Sequence, residues 1–333
     1  MIETPELLIL DVGHGNCAIL RDTEAVTVID CPPTSTLLDT LAFLEIDVIH
    51  NVLISHADYD HAAGLPVLLQ AITVRNVYIN PDANKKSRAW REIRVALELA
   101  HKNGTQIYPS LTSNLPTKII SGQVEIEILA PSLGVALGGS GGQDLEGRNL
   151  TSNAMSVVIG LVHDTHRIAL LPGDMDEVGL DNLLRKHEQI EAQILVFPHH
   201  GGNPGTTHGQ QFAQKLCDAV HPRLVVFSHG RNRLLNPRKD IMQGVHMAVP
   251  YAHVMCTQLS CHCAIALPTS EYTHLTSAPA SGYTSNSCCG GTISITLNGE
   301  QTSYAPLLAA HRAFVGNKIA TPLCLQFLAL TNT

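Results

Sequence analysis

The stretch Ser55-His56-Ala57-Asp58-Tyr59-Asp60-His61-Ala62-Ala63-Gly64-Leu65 places two histidines and two aspartates within six residues. Before it comes the apolar run Asn51-Val52-Leu53-Ile54, which reads as a buried strand. After it, residues 62–71 read as a helix with Leu65, Leu68 and Leu69 on one side. His56, Asp58, Asp60 and His61 therefore share a turn between a strand end and a helix start. Side chains of these types, so close together, repel one another or need partners unless a cation holds them. Imidazole nitrogen and carboxylate oxygen are donors that Zn²⁺, Fe or Mn²⁺ accept. A solvated acidic loop capping a helix is the plainer reading, but other parts of the chain fit around the motif.

Working outward, residues 7–10, 17–20 and 25–29 read as strands, the first followed by the glycine turn Asp11-Val12-Gly13-His14-Gly15-Asn16 and the third ending at Asp30. Residues 34–44 and 87–103 read as helices, capped by Thr34 or Ser35 in the first and stopped by Gly104 in the second. The second helix has a basic start (Lys85, Lys86, Arg88, Arg91, Arg94), either a solvated face or a phosphate-contacting one. Residues 134–147, with glycine at six positions, read as a flexible loop, a lid or a slack connection. Residues 155–162 and 167–171 form a hairpin with His163 and His166 at its far turn. Leu171-Pro172-Gly173-Asp174 then sets a carboxylate just past a strand end, residues 194–197 lead into Pro198-His199-His200-Gly201, and residues 224–227 into Ser228-His229-Gly230-Arg231-Asn232. Strand-end loops of a layered α/β protein gather at one sheet edge, so distant segments can build one site there.

The chain has 333 residues, 44% of them hydrophobic and only 15% charged, enough to bury a large core beneath a polar surface. A net charge of -8 argues against nonspecific nucleic-acid binding through overall charge, without excluding a local basic groove. No apolar run is long enough to span a membrane, and the N-terminus lacks the basic region of a signal peptide. Nine cysteines without a secretion signal suggest reduced thiols or metal ligands. The expectation is a soluble cytoplasmic protein.

Taken together, Leu10 to Asn16, Val28-Ile29-Asp30, Ser55 to His61, Asn153-Ala154-Met155-Ser156, Leu171 to Asp174 and His199-His200-Gly201 resemble the metallo-β-lactamase superfamily. The particular likeness is to the hydrolase domain of bacterial DNA-uptake (ComEC-type) proteins. The resemblance spans most of residues 7–300, in the expected order. It implies a four-layer αββα sandwich with a two-metal site at one edge. By position, His56 and Asp58 would bind one metal, Asp60 and His61 the other, Asp174 would bridge, and His199 would complete the second site. Asp30, Asn153, Ser156 and Asn232 would support the ligands from behind. Many superfamily members have histidine where Asp58 stands and a further histidine near Asn153 and Ser156. The oxygen-richer set tilts preference toward Mn²⁺ relative to Zn²⁺, and the DNA-uptake branch shares both traits. A late "Asn…His-Pro" segment of that branch appears here as Asn232 to Pro237 without its histidine, so His14, His200 or His229 would donate the proton to a leaving group.

Residues 1–300 thus read as one hydrolase domain and 301–333 as a tail packed on its core. Its last two strands, 253–257 and 292–297, read as a hairpin with a cysteine-rich insert at 258–290. Cys256, Cys261, Cys263, Cys288 and Cys289 cluster there, either as ligands of a structural Zn²⁺ or as reduced thiols. The expected activity is phosphodiester hydrolysis, with DNA as the leading substrate, two divalent ions (Mn²⁺ or Zn²⁺) as cofactors, and Arg91 and Arg231 as substrate contacts. A carbonyl hydrolase (ester, thioester or lactam) and a noncatalytic nucleic-acid-binding scaffold are the alternatives. Protein partners are not legible in the sequence.

Overall fold

The computed structural model describes residues 2–115, 118–187, 190–205, 207–231, 234–268, 272–299, 302 and 304–325. In its first sheet, β1 (Glu6–Ile9), β2 (Ala18–Arg21), β3 (Val26–Ile29), β4 (Val48–Ile54), β5 (Thr73–Ile79) and β6 (Gln106–Tyr108) lie side by side, with β14 (Ile293–Thr296) antiparallel to β1. The second holds β7 (Ile119–Ile120), β8 (Val124–Ala130), β9 (Val158–His163), β10 (His166–Leu171), β11 (Ile194–Val196), β12 (Leu224–Phe227) and β13 (His253–Cys256) in that order. β3 to β6 run parallel, as do β10 to β13.

Alternation along the strands divides the apolar residues among three cores. Leu7, Ile9, Leu53, Ile194, Val196, Leu224 and Val226 meet in the layer between the sheets. Their neighbours turn outward: Leu8, Val52 and Ile54 toward helices on one side, Leu195, Val225 and Phe227 toward helices on the other. The first sheet is covered by α1 (Thr36–Phe43), α2 (Tyr59–Ala62), α3 (Leu65–Ala71) and α4 (Arg88–Lys102), through Leu37, Leu41, Ala62, Leu65, Leu68, Trp90 and Ile93. The 134–147 segment is ordered rather than a slack loop. It contains α5 (Leu133–Gly138), capped by Ser132, and its Val135 packs on Leu150, Ala154 and Met155. Asp144 fastens the following turn by accepting from the backbone of Glu146 and Arg148, an anchor the glycine content conceals. The second sheet is covered by α6 (Glu177–Lys186), α7 (Gly209–Val220), α8 (Lys239–Ala248) and α9 (Ala305–Lys318), through Leu180, Leu183, Phe212, Leu216, Ile241, Val245, Phe314 and Val315. The layers are αββα.

Two further expectations are corrected. The helix read over 62–71 starts only at Leu65, as α3, with Ala62 closing the separate α2, because Gly64 tucks under the end of β3, its N–H donating to Cys31 O, and Pro66 starts the new helix. The last two strands do not form a hairpin. β13 pairs with β12 in the second sheet and β14 with β1 in the first, so the cysteine-rich segment crosses between sheets. Buried Asp11 fastens that crossing to the glycine turn, accepting from Gly13 N, Gln258 Nε2 and Gly282 N. α9 is tied to β13 by His311 Nδ1 and His253 Nε2, 2.9 Å apart, while Arg312 Nε donates to His253 Nδ1.

A Cβ added at Gly64 would lie 2.3 Å from Pro32 O and 2.9 Å from Cys31 O, both backbone atoms. Gly64→Ala should therefore destabilise the fold by about 2–3 kcal/mol in urea unfolding. Gly316→Ala, in α9 with nothing within 4 Å, should be neutral or stabilising by up to about 1 kcal/mol.

Candidate metal centre

The parallel ends of β3 and β4 in one sheet, and of β10, β11 and β12 in the other, deliver the ligand-type residues to one edge. Asp30, just past β3, adopts φ 61°, a conformation uncommon for a residue other than glycine. In it the carboxylate reaches across to the metal loop: Oδ1 accepts from Ser55 N (2.7 Å), and Oδ2 accepts from Ser55 Oγ (2.8 Å) and His61 Nδ1 (2.7 Å). On the far sheet the His199–His200–Gly201 turn has three successive positive φ values, 54°, 55° and 72°. It turns the His200 ring inward, where Nδ1 donates to Ser228 O at 2.8 Å. Ser156 Oγ accepts from Asp174 N at 3.1 Å and sets the approach of that carboxylate.

These hydrogen bonds fix both ring tautomers. His61 and His200 each carry a proton on Nδ1, so in the neutral ring Nε2 bears a lone pair. His61 Nε2 lies 3.1 Å from Asp174 Oδ1, and His200 Nε2 lies 3.2 Å from Asp60 Oδ2 and 3.5 Å from Asp174 Oδ1. Acceptor thus faces acceptor, and His61 Nε2, His200 Nε2 and Asp174 Oδ1 are buried without a hydrogen-bond partner. Such an arrangement needs positive charge at its centre, either a second proton on the rings or a bound cation. Burial works against charging His61, yet Asp174 and Asp30 on either side outweigh it and hold its pKa well above the usual imidazole value. Burial likewise disfavours the Asp174 carboxylate, but His200 and His61 outweigh it and keep it ionised far below the usual range. The ligand atoms of Asp60, His61, Asp174 and His200 all lie within 4.8 Å of one another, and the mixed nitrogen and oxygen set fits a divalent cation.

Beside this group, His56 is buried with Nε2 unpartnered, 3.9 Å from Asp58 Oδ2. Burial and then the neighbouring His61 lower its pKa to about 4, so its ring is a neutral donor. His199, which the resemblance placed in the second position, is instead on the rim. Its Nδ1 is 3.2 Å from Asn153 Nδ2 and 3.5 Å from Asp174 Oδ2, while His200 occupies the inward place. His14 Nε2 is 3.3 Å from Asp60 Oδ2, facing a groove of about 840 Å³. Gly15, behind it, has no room for a side chain, since a Cβ would lie 2.5 Å from Asp60 O.

Several expected contacts lie elsewhere. The Arg231 guanidinium is engaged by three carbonyls of the crossing segment (Leu259, Ala264 and Ile265), and Arg91 is exposed on α4 away from the groove lining. His229 is buried against Gly230 O and does not line the groove. Asn232 lies outside the described residues. The clustered cysteines divide between two places. Cys288 Sγ is 3.7 Å from Asp11 Oδ2, whereas Cys256, Cys263 and Cys289 are buried in the helix-covered core of the second sheet. Among the described residues, the Asp60 group is the one set of three or more ligand side chains this close together. Sequence reading missed Ser55 and Ser228, whose hydrogen bonds reveal themselves only once the strand ends meet. It also missed Arg238, Lys239 and His262 in the groove wall, and Lys85, which turns from the basic start of α4 onto Asp58.

Asp30→Asn exchanges an acceptor for a donor opposite Ser55 N or His61 Nδ1. It should weaken divalent-ion affinity by about 10–100-fold, read by equilibrium dialysis, with the fold retained by circular dichroism.

A family model described as the metallo-beta-lactamase superfamily matches residues 10–214. The chain is 23% identical over 214 residues to ComE operon protein 3 of Bacillus subtilis, covering 62% of this chain and only 23% of that protein. Among solved structures it is similar to Igni18, a metallo hydrolase from Ignicoccus hospitalis (15% identity, TM-score 0.46, 75% of this chain and 94% of that one). It is also similar to YhfI from Bacillus subtilis, a metallo-beta-lactamase fold protein (11% identity, TM-score 0.47, 78% and 98%). With the family model spanning more than half of its length, and two helix-flanked sheets around a histidine and aspartate cluster, the chain belongs to the metallo-beta-lactamase superfamily.

Proposed function

We propose that this metal-dependent hydrolase cleaves phosphodiester bonds at a two-metal centre, with DNA as its substrate and Mn²⁺ as the favoured ion. The observation that carries this reading is the groove. Its lining holds Asp58, Asp60, Asp174 and His200 together with Lys239, His262 and an Arg238 whose guanidinium is paired with Asp240 of the same lining. A chain of net charge -8 that sets Lys239 and the Arg238 guanidinium beside its most concentrated carboxylates is matched to an anionic substrate. The resemblance to the DNA-uptake branch and the match to ComE operon protein 3 favour nucleic acid within that class. Oxygen-rich ligands favour Mn²⁺.

A divalent pair bound there would supply an activated water and a charge clamp on the phosphoryl oxygens. The chain's own residues do the rest. Asp60, His61, Asp174 and His200 form one ligand set, and His56 and Asp58 the other. Asp30 and Ser55 hold the His61 ring in one tautomer, so the lone pair faces inward. Of the three histidines that sequence offered as proton donors, His200 is committed to Ser228 O through Nδ1 and turns Nε2 into the ligand cluster, and His229 does not line the groove. His14 remains, lining the groove with its Nε2 3.3 Å from Asp60 Oδ2, and is the group assigned to protonate the leaving oxygen.

End-labelled single- and double-stranded DNA should be cut by the purified protein with Mn²⁺, not in chelator, and not by Asp60→Asn. His14→Asn should lower kcat by about 10²–10⁴-fold while binding metal normally. Metal-loaded protein that leaves all DNA intact but opens a small ester or lactam would refute the phosphodiesterase reading.

A further inference from the structure

Asp58 carries one cation already. Lys85, in the turn between β5 and α4, points its ammonium at Asp58 Oδ1, while Asp58 Oδ2 faces the buried, unpartnered Nε2 of His56 at 3.9 Å. The lysine is not a loose surface chain, since its side chain is 22% exposed and its surroundings are ordered around it. Asp82 Oδ1 accepts from Lys85 N at 3.2 Å, fixing the turn. Asp82 Oδ2 takes the hydroxyl proton of Ser152 at 2.5 Å, which leaves a Ser152 lone pair toward Lys85 Nζ, 3.4 Å away. Asn84, next in the chain, packs against Gly141 with no room for a side chain between them. Three separate segments thus hold one ammonium beside one carboxylate.

The other ligand set has no such neighbour, since no lysine or arginine is paired with Asp60 or Asp174 among the described residues. The two metal positions are therefore electrostatically unequal. A full positive charge within ion-pair distance of Asp58 both occupies one of its oxygens and repels an incoming cation, in a partly buried setting where screening is weak. Resting on the two-metal reading above, we propose that Lys85 is a positioning residue that weakens the His56–Asp58 position, so the centre takes one ion tightly at Asp60, His61, Asp174 and His200 and a second ion weakly.

The test is Mn²⁺ binding to the full chain, followed by equilibrium dialysis with metal analysis and by the paramagnetic resonance of bound Mn²⁺. Wild type should bind one ion at least tenfold more tightly than a second. Lys85→Met, which keeps the stem and removes the charge, should tighten the second ion at least tenfold and leave the first unchanged. Lys85→Arg should restore the wild-type spacing. The unchanged first ion in Lys85→Met reports that the centre is folded, and the arginine variant separates charge from packing. Equal affinities in wild type, or a second ion in Lys85→Met that is unaltered or weaker, would overturn the role of Lys85. Failure of wild type to bind any divalent ion would overturn the two-metal reading itself.

Discussion

Two imidazole lone pairs aimed at one buried carboxylate define this molecule. His61 and His200 are each committed through Nδ1, one to Asp30 and the other to a backbone carbonyl, and each presents Nε2 to Asp174. Nothing in protein chemistry stabilises acceptor against acceptor without a positive charge between them. Much of the rest can be understood as what holds this geometry: the left-handed Asp30 and His199–His200 backbones, the glycines that let β-strand ends approach, and a serine from each sheet acting as a spacer.

The fold is the means of bringing those groups together. Two sheets that bury one face against each other and the other under helices leave only their edges free for loops. Parallel strands on both sheets deliver their C-terminal ends to the same edge, so five short segments far apart in sequence meet without any one of them being long. The crossing segment between β13 and β14 has a related part, since Asp11 anchors it to the glycine turn that carries His14. Its polar, glycine-rich composition is stabilised there by hydrogen bonds to a buried carboxylate.

Strand and helix identities were largely legible, because period-two alternation and capping residues are local properties. The ligand-type residues after β4 and β10 were legible for the same reason. What sequence could not resolve was choice among neighbours. His199 and His200 are adjacent and chemically identical, and only two consecutive left-handed residues decide which ring turns inward. Arg231 and Lys85 illustrate the same difficulty in opposite directions. The arginine, read as a substrate contact, is held by carbonyls, whereas the lysine, read as part of a solvated or phosphate-contacting basic face, sits on Asp58. The 134–147 segment was misread because glycine content hides a single apolar anchor, Val135, and a single turn-forming carboxylate, Asp144.

The central claim is that the buried cluster is a cation site, and the direct measurement is thermal unfolding of chelator-treated protein against increasing Mn²⁺ or Zn²⁺. Binding to the folded state alone raises stability by about 2.7 kcal/mol at a hundredfold excess over Kd. The account predicts a midpoint that climbs steadily with the logarithm of ion concentration in wild type and stays flat in Asp174→Asn. A wild-type midpoint indifferent to either ion would contradict it.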